Sequence, residues 1–126
     1  MSYYAQCNAQ TTNAANWAPM TGLTFTIPAG VGETAIIILN VPNPFATGNS
    51  NPGGNFGISV GGKVSPVVAS FTYNEVNPSS TGRVPTTLVV GVPLGNTNQI
   101  IQAVWCGVRS STAHIDTPAT LTGLLA

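Results

Sequence analysis

The chain has 126 residues, of which 43% are hydrophobic and only 5% charged, and its three acids balance its three bases. A soluble domain ordinarily carries about 25% charged residues, so solubility here rests on Asn, Gln, Ser, Thr and Gly. The absence of a basic stripe argues against nucleic-acid binding, which sets cations opposite phosphates.

The length suits one domain over residues 1–126, able to bury a core without metal or several disulfides. The opening MSYYAQCNAQ lacks the charged start and apolar stretch of a Sec-type signal peptide, which leaves export by another route open. No apolar run approaches the roughly 20 residues of a membrane helix. In chain order, the first twenty residues read as irregular, with room for a short edge strand. Leu23 to Ile27 is the first clear strand, because Leu23, Phe25 and Ile27 alternate with Thr24 and Thr26. Thr34 to Val41 follows, and its Ala35–Leu39 stretch is apolar throughout. Such a run predicts burial on both faces, and a neighbouring subunit is the simplest cover for the second.

Residues Pro42 to Gly54 are rich in Pro, Asn and Gly and read as a long ordered loop. Further strands are expected near Asn55–Val60, Val64–Tyr73, Thr86–Val92, Gln99–Val108 and Ala119–Leu125, with Pro66 marking an edge or a bulge. Short apolar runs punctuated by turn residues, with no helical period, define an all-β sandwich or barrel. Two cysteines, Cys7 and Cys106, leave two readings open. They are unpaired buried thiols, or a bridge closing nearly the whole chain and worth about 4–5 kcal/mol by loop entropy.

Catalysis finds little support. The one histidine, His114, lies two positions from Asp116, on the same face if the chain is extended, but no G-x-S-x-G or other nucleophile motif accompanies them. The plainer reading is a structural hydrogen-bond pair near a strand end. A single histidine and unclustered carboxylates also argue against zinc and calcium. The two arginines, Arg83 and Arg109, are more informative. A guanidinium fork grips paired oxygens such as vicinal sugar hydroxyls, although an ion pair with Asp116 or Glu75 explains an arginine equally well. Tyr73, placed just before a polar loop, and Phe45 and Phe56, flanking the Pro/Asn/Gly loop, are candidate ring surfaces for a sugar. Trp105 reads as core, whereas Trp17, Tyr3 and Tyr4 are candidates for packing between subunits.

Four segments carry a resemblance: ILNVPNPFATGN (38–49), FTY (71–73), STGRVP (80–85) and HIDTPATL (114–121). In this order, from about Ile36 to the C-terminus, they resemble the fucose-binding N-terminal domain of the two-domain superlectins of Burkholderia. The resemblance implies a tumour-necrosis-factor-like jelly-roll β-sandwich assembled as a homotrimer, with sites between adjacent subunits for fucose and fucosylated, blood-group-type glycans. It implies no enzyme activity and no cofactor. Position by position, Thr72, Tyr73 and Arg83 match one wall of the site, and Arg109 matches the second sugar-gripping arginine. Asp116 lies in the matching HID stretch, and Thr117 stands where the family has a serine near the sugar. Phe45 and Asn55 stand where the family has tyrosines, so Phe45 keeps a ring without its hydroxyl and Asn55 loses an aromatic contact.

Two rivals predict different outcomes. A structural jelly-roll subunit of a capsid or appendage would assemble without limit and bind no glycan. A hydrolase using His114 and Asp116 would turn over a glycoside or ester.

Overall fold

The computed structural model describes residues 2–48, 51–72 and 81–126, and these contain twelve strands and no helix. One antiparallel sheet runs in the order β1 (Ser2–Gln6), β12 (Thr120–Leu125), β4 (Thr34–Val41), β9 (Thr86–Pro93). Facing it is a second sheet, β3 (Ala18–Ile27), β10 (Gln99–Val108), β6 (Gly53–Val60), in which β7 (Lys63–Val64) and β8 (Ala69–Thr72) share the remaining edge of β6. A small third sheet, β2 (Gln10–Thr12), β11 (Thr112–Ile115), β5 (Pro44–Thr47), repeats the order of the first. The chain stretches 2–12, 34–47 and 112–125 each contribute to both. Alternation of the chain between two facing antiparallel sheets is the jelly-roll arrangement.

The alternation of apolar and polar side chains decides which face turns inward. Ala35, Ile37, Leu39 and Val41 of β4 are buried, as are Leu88, Val90 and Val92 of β9, against Phe56, Ile58, Ile101, Ala103 and Trp105 of the second sheet. Rings thicken this core: Phe56 stacks on Phe71 and on Trp105 at 5.8 and 6.2 Å, and Tyr3 stacks on Phe25 at 5.6 Å. Trp105 is core, as its apolar run predicts.

On β3 the register breaks. The step from Gln102 to Val104 on β10 is matched by the five-residue step from Thr24 to Pro19. The looped-out carbonyls do not go unpaired, because Gln102 Nε2 donates to Met20 O (3.1 Å) and Leu23 O (3.0 Å). On the other side, the Gln10 amide clamps Thr21 through both its backbone groups, at 2.8 and 2.9 Å.

Several expectations change. The first twenty residues are not mostly irregular; they supply β1, β2 and the start of β3, with β1 and β2 on sheet edges. The Pro42–Gly54 stretch is not one loop, because Pro44–Thr47 forms β5, an edge strand that tolerates Pro44, and β6 begins at Gly53. The Val64–Tyr73 run is interrupted around Pro66, giving β7 and β8, and its last residue, Tyr73, lies outside the described residues, as does Glu75.

Ile36–Leu39 is not buried on both faces within the chain, because Ile36 and Ile38 remain part-exposed. Ile38 lies in an outward row with Tyr4, Thr122 and Val89, and Ile36 in another with Leu124 and Gly91. Tyr4 is 62%, Val89 52% and Leu124 43% exposed, so the outer face of this sheet carries an apolar patch, bordered by the polar row Gln6, Thr120, Asn40 and Thr87. Cys7 and Cys106 are both buried and free.

Candidate functional site

The residues singled out by sequence gather into two groups within one chain. The first is built on the pairing of β5 with β11, which sets Phe45 opposite His114. Their rings stack at 4.5 Å with 7° between planes. His114 Nε2 and Thr47 Oγ1 share a hydrogen bond of 2.9 Å, which fixes the lower ring. Residues 81–84 are pinned along β5: Thr81 N donates to Ala46 O at 2.9 Å, Ala46 N to Thr81 Oγ1 at 2.8 Å, and Val84 N to Pro44 O at 3.2 Å. That anchoring brings the Arg83 guanidinium over Phe45, 4.3 Å from the ring centroid.

An Asp116 carboxylate oxygen accepts from Arg83 Nη2. The two side chains are 48% and 41% exposed, so the pair contributes about 1 kcal/mol or less to stability; its effect is to hold the fork in place. Thr117, next in sequence, receives a hydrogen bond from Asn43 Nδ2 at 2.9 Å. Burial pushes the His114 imidazole below the ordinary histidine value of 6.5, so its neutral form is favoured.

His114 and Asp116 are therefore not partners of each other. β11 ends at Ile115, so the alternation that would keep them on one face stops between them. The histidine goes to Thr47 and Phe45, and the aspartate to Arg83. Of the ion pairs open to the arginines, Arg83–Asp116 is the one present among the described residues.

The second group sits at the β10–β11 turn. Arg109 and Ser110 occupy its two central positions with φ of 50° and 59°, and Ser111 N closes it onto Val108 O at 2.9 Å. Two consecutive left-handed residues match the right-handed twist of the flanking strands. Gly107 is required just before the turn, because a Cβ there would stand 2.0 Å from the Ser111 carbonyl oxygen. Arg109 Nε donates to Asn51 O at 2.7 Å, and its Nη2 donates to Thr72 Oγ1.

Two register positions along β6 from the Gly53–Thr72 pair, Asn55 Oδ1 accepts from the Ser70 hydroxyl at 2.7 Å, and Asn55 Nδ2 reaches Cys106 Sγ at 3.6 Å. Within one chain, then, Thr72 is held with Arg109, and Arg83 belongs to the other group. Phe56 contributes no surface, being fully buried. Sequence reasoning missed His114 as the partner of Phe45. The signal was a ring on each of two strands, hidden because β5 read as loop.

Among the described residues, no three His, Cys, Asp or Glu side chains gather as a metal site would require. The two groups offer hydroxyl and carboxylate oxygens, amides, a half-buried ring and two arginine forks, which is chemistry for hydroxyl recognition.

A model of the family described as the Bc2l-C N-terminal domain matches residues 6–124. No curated protein matches the chain. Similar solved structures include the CBM36-1 domain of a multidomain xylanase from the hindgut metagenome of Trinervitermes trinervoides. It shows 15% identity over 100% of this chain and 98% of that one, with a TM-score of 0.49. A second is the sugar-binding EclA C-terminal domain, with 10% identity, 90% and 76% coverage and a TM-score of 0.47. A third is a family 35 carbohydrate-binding module from Clostridium thermocellum, with 16% identity, 98% and 92% coverage and a TM-score of 0.44. All three likenesses are distant.

Proposed function

Since the chain belongs to the Bc2l-C N-terminal domain family, a family of carbohydrate-binding lectin domains, we propose that it binds fucose and fucosylated glycans without turnover, at sites completed between the subunits of a homotrimer. The observation that carries this reading is the division of the arginines. A chain with only three cations places two of them in separate exposed groups, each steadied by oxygens or a ring of its own. A site needing both forks draws one from each of two subunits.

In this reading Arg83 and Arg109 donate to the ring oxygen and hydroxyls of fucose. Thr72 and Tyr73 add polar contacts, Thr117 and Asp116 border the Arg83 side, and Phe45, stacked between His114 and Arg83, backs the fork. Asn55, bonded to Ser70, replaces a ring with an amide and shifts preference away from the extended glycans a second tyrosine would favour. The apolar patch on the outer face of β1, β12, β4 and β9 supports assembly, since Tyr4, Ile38, Val89, Ile36 and Leu124 gain by leaving water. Three shallow sites on one rigid body raise apparent affinity for a dense glycan surface by about 100-fold.

The decisive experiment is a glycan array read beside light scattering. Fucosylated glycans should register, in EDTA as in its absence, and the particle should have three times the chain mass. An array on which no fucosylated glycan registers overturns the fucose assignment. Open-ended assembly would favour a structural capsid or appendage subunit. Arg109→Ala should abolish binding and leave the trimer intact.

A further inference from the structure

A second feature lies away from both arginine groups, where the two sheets part. β6 and β7 are joined by Gly61-Gly62, with φ of 60° and 86°. Two left-handed residues in succession make the tight hairpin turn that glycine permits. The turn fixes Lys63 opposite Val60, and cross-strand partners project to the same face. Val60 packs against the core, so Lys63 is set on the inner side of the second sheet, at its margin.

The second sheet is short here. β7 has two residues, and the chain turns away at Ser65-Pro66, where Ser65 N donates to Ile58 O at 2.8 Å and proline cannot extend the ladder. Opposite, β9 is the edge of the first sheet and continues to Pro93. The mismatch leaves a cleft of about 350 Å3 walled by Val60, Val64, Pro66, Val90, Val92 and Pro93. Lys63 and Ser65 also line it. A volume of this size is at the lower end of what small-molecule sites use, and apolar walls with few polar groups are their usual composition.

The charge pattern selects the occupant. Among the described residues Arg83 is paired with Asp116 and Arg109 is bonded to Asn51 and Thr72, while Lys63 makes no ion pair. A cation on the rim of an apolar cleft complements a molecule with one anionic end and a hydrocarbon body. None of the cleft's lining residues is acidic, so Lys63 is the one charge among them. We propose that the cleft between β7 and β9 binds a small amphipathic monoanion, a medium-chain or aryl carboxylate, with the hydrocarbon between the valines and the carboxylate at Lys63. This site shares no residue with either arginine group; Gly91, which also lines it, stands in the outward row with Ile36 and Leu124.

The test uses the unmodified protein with octanoate and 1-octanol as probes, read by valine methyl NMR and calorimetry. Octanoate should shift the methyls of Val60, Val64, Val90 and Val92 saturably. Lys63→Gln, an exposed change, should weaken octanoate by about fivefold, the size of an exposed charge contact, and leave octanol unchanged. Added salt should weaken octanoate in the same way. The proposal is overturned if octanoate produces no saturable shift, if the shifts fall on other valines, or if octanoate and octanol respond equally to Lys63→Gln. Fucose binding, measured in parallel, should be unaffected by either probe.

Discussion

Arg109 stands in a left-handed conformation that an L-residue occupies at a cost of about 1–2 kcal/mol, whereas glycine pays none. Glycine in turn loses more chain entropy on folding, about 0.5–1 kcal/mol relative to alanine. Replacing Arg109 by Gly and by Ala removes the same bonds to Asn51 and Thr72, so their difference isolates the backbone. Arg109→Gly should be the more stable variant by about 0.5–1 kcal/mol, the surplus of the first effect over the second. For a domain of this length that corresponds to a melting temperature about 2–5 °C higher. Calorimetry or urea melts of the two variants measure it directly, and sugar binding should be lost in both. A Gly variant no more stable than the Ala variant would refute the claim that this turn is held in a disfavoured conformation for the sake of the side chain it carries.

Three further outcomes are expected. Gln102→Leu should cost about 2–4 kcal/mol in chemical denaturation, since it strips the shared donor from two carbonyls of the β3 bulge; a loss below about 1 kcal/mol would mean that water replaces the amide. His114, the one histidine, should titrate by NMR below 6.5. Because the unfolded chain then binds the proton more readily, the His114 contribution to stability is present above pH 6.5 and is lost as pH falls through the folded-state value; His114→Gln should flatten that part of the pH profile. Ile38→Glu, placed in the outward row between Thr122 and Val89, should leave a folded monomer on light scattering, whereas an intact trimer would move the subunit contact elsewhere.

What could be read without coordinates followed how local each signal was. Thr34–Val41, Thr86–Val92 and Gln99–Val108 are long apolar strands, and β4, β9 and β10 occupy nearly those bounds. β2, β5 and β7 are two to four residues long and exist because a neighbour pairs with them, so period and composition carry little trace of them. The two candidate groups were legible as residue types. Phe45, Thr72, Arg83, Arg109 and Asp116 all enter polar or stacked contacts. Their grouping was not legible, because it depends on β5 pairing with β11 and on where β11 stops. The continuous Ala35–Leu39 run predicts burial of both faces; the chain buries Ala35, Ile37 and Leu39 and leaves Ile36 and Ile38 part-exposed.

The stack of Arg83 on Phe45 on His114 has a consequence for how tightly a shallow site can hold a ligand. A free arginine gives up about 2 kcal/mol of rotamer entropy when it is immobilised, and a ligand that must order it bears that loss in its own affinity. Here the guanidinium is confined beforehand, against a ring on one side and by Asp116 at an Nη group. Part of that ordering is done when the chain folds, so the remaining N–H groups of the fork meet a ligand already narrowed in their directions. Removing the Phe45 ring would return that entropy to the arginine and weaken any ligand it grips, even one that never touches the ring.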